Sequence, residues 1–398
     1  MIMSDIRRSI IVLYFLCTFL FYGCHNSSIV DDSSIVLSST SELVTENSIS
    51  DIDLISNVEL ISLQNDSVIL GDIDKIICSD SLIYILDRYQ RKCIDIFSRS
   101  GDYLNTLNRF GRGRGEYTQL ADFFIDKDKS TLNILDRGSN RILVFDIFGR
   151  KFIRDIELPK KFSRIKPINS GYIGYMGNYS EDKKNPFNIW VLDNNFKILK
   201  NYIKIDPLYN SRDNGNMNFL SCFSDECNIV LGNSYEVYSY SNGEMLRKYV
   251  FDFKKLNMPK LDKSELDDPV IMNKLASQYI LDIYNFQETE SKILAKVIYQ
   301  GQYMMVVYDK HSKLMQMVYM DVFENDNYFF SFGRLIDMDE NHLYSIVNAE
   351  RINTMLLGHD LYNDFESLYP NQIKNLRAKL GNCVDPEGNP FLAIYNIK

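Results

Sequence analysis

The sequence predicts an all-β protein, a six-bladed β-propeller, on three observations: one stretch is written twice, the composition suits strands, and strands at the two chain ends can complete one sheet. Residues 81–104 read SLIYILDRYQRKCIDIFSRSGDYL and residues 131–153 read TLNILDRGSNRILVFDIFGRKFI. Asp87 and Asp136, the acids of the two LDR triplets, lie 49 residues apart, a period of the size that stacked units such as propeller blades show. Hydrophobic residues make up 45% of the 398, with 26 Tyr and 24 Phe against 9 Pro, which fits a strand-rich protein with an extensive core.

The first 23 residues have the form of an export signal. Arg7 and Arg8 give a short positive region, residues 10–22 an apolar one, and Gly23 the small residue expected before a cleavage point. The apolar run is shorter than the ~20 residues that span a bilayer. Cys24 follows at once, and LFYGC resembles the lipobox of bacterial lipoproteins. That resemblance implies acylation of Cys24 and a lipid bilayer as partner. Leu20 sits one place early and the bulky Phe21 and Tyr22 depart from the pattern, so ordinary secretion is the alternative. Residues 24–50, rich in Ser and acids, read as a flexible tether.

The propeller is expected over residues 51–398. Within the repeat each blade has four strands: the first at 75–79 and 123–126, the second at 82–86 and 132–135, the third at 93–97 and 142–145, the fourth near 103–107 and 152–156. Gly101 and Gly149 supply the hairpin turns after the third strands. A third blade is read at 172–176, 188–192 and 198–203, a fourth at 229–231, 236–240 and 245–250, a fifth at 293–299, 304–308 and 314–320, and a sixth begins at 335–338 and 343–347. Two short helical insertions are expected at 264–280 and 364–380. The strand FLAIYNI at 391–397 would pair with VELISL at 58–63 and close the ring, leaving no open sheet edge.

The LDR repeats, with Gly111-Arg112-Gly113-Arg114-Gly115-Glu116-Tyr117 between them, resemble the NHL-related six-bladed propeller lipoproteins of Bacteroides-type bacteria. In that family the loop between blades often reads G-x-G-P-G-E-Y, and here Arg114 stands in the Pro position. The resemblance implies a membrane-anchored six-bladed ring and no single agreed reaction.

Strand direction alternates within a blade, so the loop between strands two and three and the loop leading to the next blade share a face. Asp87, Arg88, Asp136 and Arg137 lie on the first kind of loop, and Arg109, Arg112, Arg114, Glu116 and Tyr117 on the second. These nine form the candidate ligand-binding rim, since arginine's planar donor head suits carboxylates and phosphates. The competing reading has Asp87 and Asp136 bracing their own turns.

No catalytic residue, metal site or cofactor motif is found. The segments starting at Asp126 and Asp337 open like calcium loops but lack the glycine at position six and the acid at position twelve. The net charge of −9 becomes −10 once Arg7, Arg8 and Asp5 are removed with the signal, which argues against nucleic acid as a partner. Cys222 and Cys227 flank a short turn, leaving open whether they form a disulfide, and Cys78 and Cys93 fall on non-adjacent strands of one blade and should stay free thiols. The expected function is that of a lipid-anchored binding module at the cell envelope, periplasmic or surface-exposed, whose partner is another envelope protein, a peptide or an anionic glycan. The alternative is a propeller hydrolase or lyase with a metal in the central channel.

Overall fold

In the computed structural model, which describes residues 34–38, 44–180, 184, 186–213, 215–360 and 363–398, six antiparallel four-stranded blades, two of them extended by a fifth, parallel strand, follow one another around a central axis. Blade 1 is Lys75–Cys78, Leu82–Asp87, Cys93–Ser98 and Tyr103–Leu107; blade 2 is Leu120–Asp126, Thr131–Asp136, Arg141–Asp146 and Phe152–Glu157. The remaining blades begin at Arg164–Ile168, Leu220–Phe223, Ile283–Glu288 and Arg334–Met338. The second strands of blades 1 and 2, LIYILD and TLNILD, are buried along their whole length. A strand covered on both faces by neighbouring blades reads as a continuous apolar run. The outer strand of blade 2, FIRDIE, keeps only partial cover.

The glycine turns form as expected. Gly101 adopts φ +95°, and a Cβ there would stand 2.1 Å from the Ser62 carbonyl oxygen. Ring closure also follows the expectation: Phe391–Ile397 pairs antiparallel with both His342–Val347 and Ile55–Ser62, so the last blade contains strands from both ends of the chain.

Two expectations need correction. The stretch read as tether up to residue 50 is partly built into the ring. Ile35–Ser38 pairs in parallel with the outer strand of blade 4, Tyr249 to Asp252, and Val44–Ser48 pairs in parallel with the outer strand of blade 5. Unsatisfied outer edges offer backbone groups that any extended segment can pair with, and Leu37 is fully buried as a result. The third blade has a first strand, Arg164–Ile168, that its charged sequence concealed. The two helical insertions form as expected, each from more than one short helix: Lys263–Asp267 and Pro269–Ala276 make the first, and Ala349–Leu357, Phe365–Leu368 and Pro370–Leu380 the second. The signal segment and Cys24 lie outside the described residues.

Cys222 and Cys227 are cross-strand partners in blade 4 with Cα atoms 4.1 Å apart and are joined as a disulfide. Cys78 and Cys93 are free, and burial pushes both thiols up to about 12.

Candidate functional site: a cationic mouth over a polar channel

The first strands line the axis, and polar side chains on or beside them meet there, joined by Lys296 from the second strand of blade 5. Lys75 of blade 1 donates to Asp122 Oδ1 of blade 2 at 2.6 Å and to the Phe123 carbonyl at 2.7 Å, both partners being buried. Asp122 Oδ2 accepts from the Ile165 amide of blade 3. Lys166 donates to the Leu220 carbonyl at 3.0 Å and to Asn218 Oδ1 at 3.3 Å. Asn218 and Asn285 both donate to the Ile336 carbonyl, and Lys296 to that of Leu335. These contacts tie successive blades together across the axis, each satisfying a polar group that the channel would otherwise strand.

Burial holds the Lys166 amine down at about 8, against the attraction of Asp337, and holds Lys296 at about 8, where repulsion from Arg334 adds to the effect of burial. Asp337 is raised, first by burial. A lysine whose folded pKa is depressed carries fewer protons folded than unfolded between about 8 and its ordinary range, so its contribution to stability grows as pH rises through that window. Wild type should therefore gain stability relative to a Lys166→Met, Lys296→Met double variant between about pH 8 and pH 10 in denaturant unfolding. Parallel curves for the two proteins would refute the depressed amines.

Above the channel, on the face carrying the loops between second and third strands, lies a cavity of about 420 Å³. Arg88, Lys92, Arg137 and Arg164 contribute to its wall, with Asp213 the carboxylate among them. Arg164 is 4% exposed; its guanidinium donates to the Ser163 carbonyl at 2.8 Å and stands 3.5 Å from Asp213, while its Nε is buried without a hydrogen-bond partner. Arg88 pairs with Asp74 at 3.0 Å. Lys92 lies 4.5 Å from the Phe110 ring centre and Arg137 5.9 Å from that of Tyr179, and neither has an ion-pair partner among the described residues. Tyr89 and Phe110, 66% and 55% exposed, form an aromatic lip. The balance of charge in this recess is positive within an acidic protein.

Of the nine rim residues expected from sequence, Arg88 and Arg137 line this cavity. The acids beside them brace turns. Asp87 Oδ1 accepts from the amides of Tyr89 and Gln90, and Asp136 Oδ1 from those of Thr118 and Gln119. The glycine-rich loop folds on itself: the Tyr117 amide donates to the Arg109 carbonyl, the Gly111 amide to the Tyr117 carbonyl, and the Gly113 amide to Glu116 Oε2 at 2.6 Å. A Cβ at Gly111 would fall 2.2 Å from that carboxylate. Buried Tyr117 donates through its hydroxyl to the Lys92 carbonyl. Arg109 and Arg114 lie over the rings of Phe145 and Phe152 in blade 2, and exposed Arg112 is likewise outside the cavity wall. Lys92 and Arg164 were missed by sequence reasoning. Lys92 sits within the first repeat in the same loop as Arg88, whereas Arg164 carried no repeat signal at all.

A family model described as a domain of unknown function, DUF4934, matches residues 34–396. The chain belongs to the DUF4934 family. The matched span begins where the N-terminal strand joins blade 4 and ends in the closing strand, so the DUF4934 unit corresponds to the whole ring. No curated protein matches the sequence. Among solved structures, a Bacteroides fragilis protein named as an expected exported protein is 18% identical with a TM-score of 0.68, covering 92% of this chain and 100% of its own. A DUF4221 family member from Bacteroides vulgatus is 10% identical with a TM-score of 0.47, over 87% of this chain and 97% of its own. The first likeness establishes the propeller fold of the DUF4934 chain and nothing of its ligand.

Proposed function

We propose that this DUF4934 propeller is exported, anchored through acylated Cys24, and works by binding at the cell envelope, its mouth cavity receiving an anionic group of the ligand. The observation that carries the reading is the cluster of Arg88, Lys92, Arg137 and Arg164 around one cavity that holds a single carboxylate, Asp213. Bringing like charges together in a recess is costly unless an anion compensates them, and guanidinium heads recognise carboxylates and phosphates by paired donors. The lipobox-like LFYGC, the cross-strand disulfide and the export expected of the Bacteroides fragilis neighbour all support an extracytoplasmic setting. The alternative of a metal hydrolase has no cluster of ligating side chains to favour it among the described residues.

Calorimetric titration with tripolyphosphate, tetraglutamate and tetragalacturonate tests the reading. At least one probe should bind, and the affinity should fall as salt is added. Failure of all three at low ionic strength would overturn it.

A further inference from the structure

A second cavity of about 190 Å³ adjoins the first, and the two share Arg88 and Gly215 as common wall. It repeats the first cavity's imbalance with different residues. Lys296 and Arg334 both line it, close enough that the arginine's charge disfavours the protonated lysine. Asp74 is the carboxylate in this wall, and it is engaged by Arg88. Lys296 lies 5.0 Å from the ring centre of Tyr303 and 6.0 Å from that of Tyr284, and Arg334 donates to the Ile73 carbonyl; neither cation has an ion-pair partner among the described residues. Two cation pairs, Lys92 with Arg137 and Lys296 with Arg334, thus stand on either side of a neutralised Arg88–Asp74 waist.

We infer that the mouth takes one ligand carrying at least two carboxylates on a saccharide chain, an oligouronate, with one acid in each cavity and Arg88 at the junction. This rests on the proposed anion-binding role of the mouth. The choice of saccharide over peptide comes from the inner edges of the blades. A peptide commonly binds a sheet by adding a strand to free backbone groups. Here neighbouring side chains already occupy the edge carbonyls: Asn218 and Asn285 that of Ile336, Lys296 that of Leu335, Lys166 that of Leu220 and Lys75 that of Phe123. Recognition is left to side chains. The uncharged ones on offer are amides, phenols and the exposed rings of Tyr89 and Phe110, which suit hydroxyls and the apolar faces of sugar rings.

The test compares galacturonate, tetragalacturonate and tetraglutamate on the full mature chain. Tetragalacturonate should bind about tenfold or more tighter than the monomer, the value of one further charge-assisted contact. Lys296→Met should abolish that advantage while leaving monomer affinity unchanged, and Arg137→Met should weaken both ligands. Should Lys296→Met fail to match the wild-type melting temperature, Arg334→Gln, at an exposed position, makes the same comparison. Equal affinity for monomer and tetramer, or an advantage that survives both second-cavity variants, would overturn the two-cavity assignment. Tighter binding of tetraglutamate would overturn the saccharide class and leave the anion-binding role standing, whereas silence from every anionic probe would remove that role itself.

Discussion

Removal of residues 391–398 should leave no folded monomer. Phe391–Ile397 lies between His342–Val347 and Ile55–Ser62, and its first five residues are all buried. Tyr395 stacks on Phe332 with ring centres 4.4 Å apart, meets Phe323 edge-on at 5.0 Å, and donates to the Phe332 carbonyl. Without this strand the last blade loses its middle, Ile55–Ser62 loses its one sheet neighbour among the described residues, and two apolar edges open to other chains. Size-exclusion chromatography should show aggregate or expanded chain, and a soluble monomer with unchanged β circular dichroism would refute closure as the source of stability. The milder Tyr395→Ala should cost about 3–5 kcal/mol in denaturant unfolding, as truncation of a buried aromatic does.

Glu288→Ala should destabilise the ring by about 1–3 kcal/mol, because it takes the acceptor from the buried Tyr249 and Asn228 and the shared carboxylate from two partly buried lysines. Glu288, 4% exposed at the end of the first strand of blade 5, accepts from Lys310 at 2.8 Å, Lys248 at 2.9 Å, Tyr249 at 2.8 Å and Asn228 at 3.1 Å. Three of these donors belong to blade 4, so the carboxylate is the bolt between two blades. Burial raises its pKa, yet the hydrogen bonds from Lys310, Lys248 and Tyr249 outweigh burial and leave it below the ordinary range. Its stabilisation is therefore present at neutral pH and lost as pH falls through the folded value. Denaturant unfolding of Glu288→Ala checks the size, and a loss under about 1 kcal/mol would mean that the network is solvated and weak.

Blades 1 and 2 were legible because their repeat is local: the same alternation, LDR corner and glycine turn recur within one period. The closing strand was legible for a different reason, that a ring must hide its edges. The N-terminal strands were not. Ser34-Ile-Val-Leu-Ser in its own surroundings is part of a polar linker with three apolar residues, and only its pairing with residues 249–252, more than 200 positions away, makes it a strand. Helix Ala349–Leu357 was missed because it follows the strand His342–Val347 with one residue between them, although Asn348 stands at its N-cap and Gly358 in the left-handed region marks its end.

The site divides along the same line. Arg88 and Arg137 were found because the repeat places them at equivalent corners. Lys92 lies only four residues beyond Arg88, but nothing in its neighbourhood tells which way it faces. Arg164, Lys296 and Arg334 come from three other blades and meet at the axis only through closure of the ring. Conversely, Arg109, Arg112 and Arg114 form the most conspicuous basic run in the sequence, yet none of them lines the cavity: Arg109 and Arg114 lie over the rings of Phe145 and Phe152, and it is Phe110 of this stretch that reaches the cavity wall.

The central claim is that the mouth is an anion site, and the direct measurement is the calorimetric titration repeated with a Lys92→Met, Arg137→Met variant of wild-type melting temperature. Both cations lack an ion-pair partner among the described residues, so their loss should weaken the best probe about 100-fold and flatten its salt dependence. Affinity and salt dependence equal to those of wild type would contradict the account.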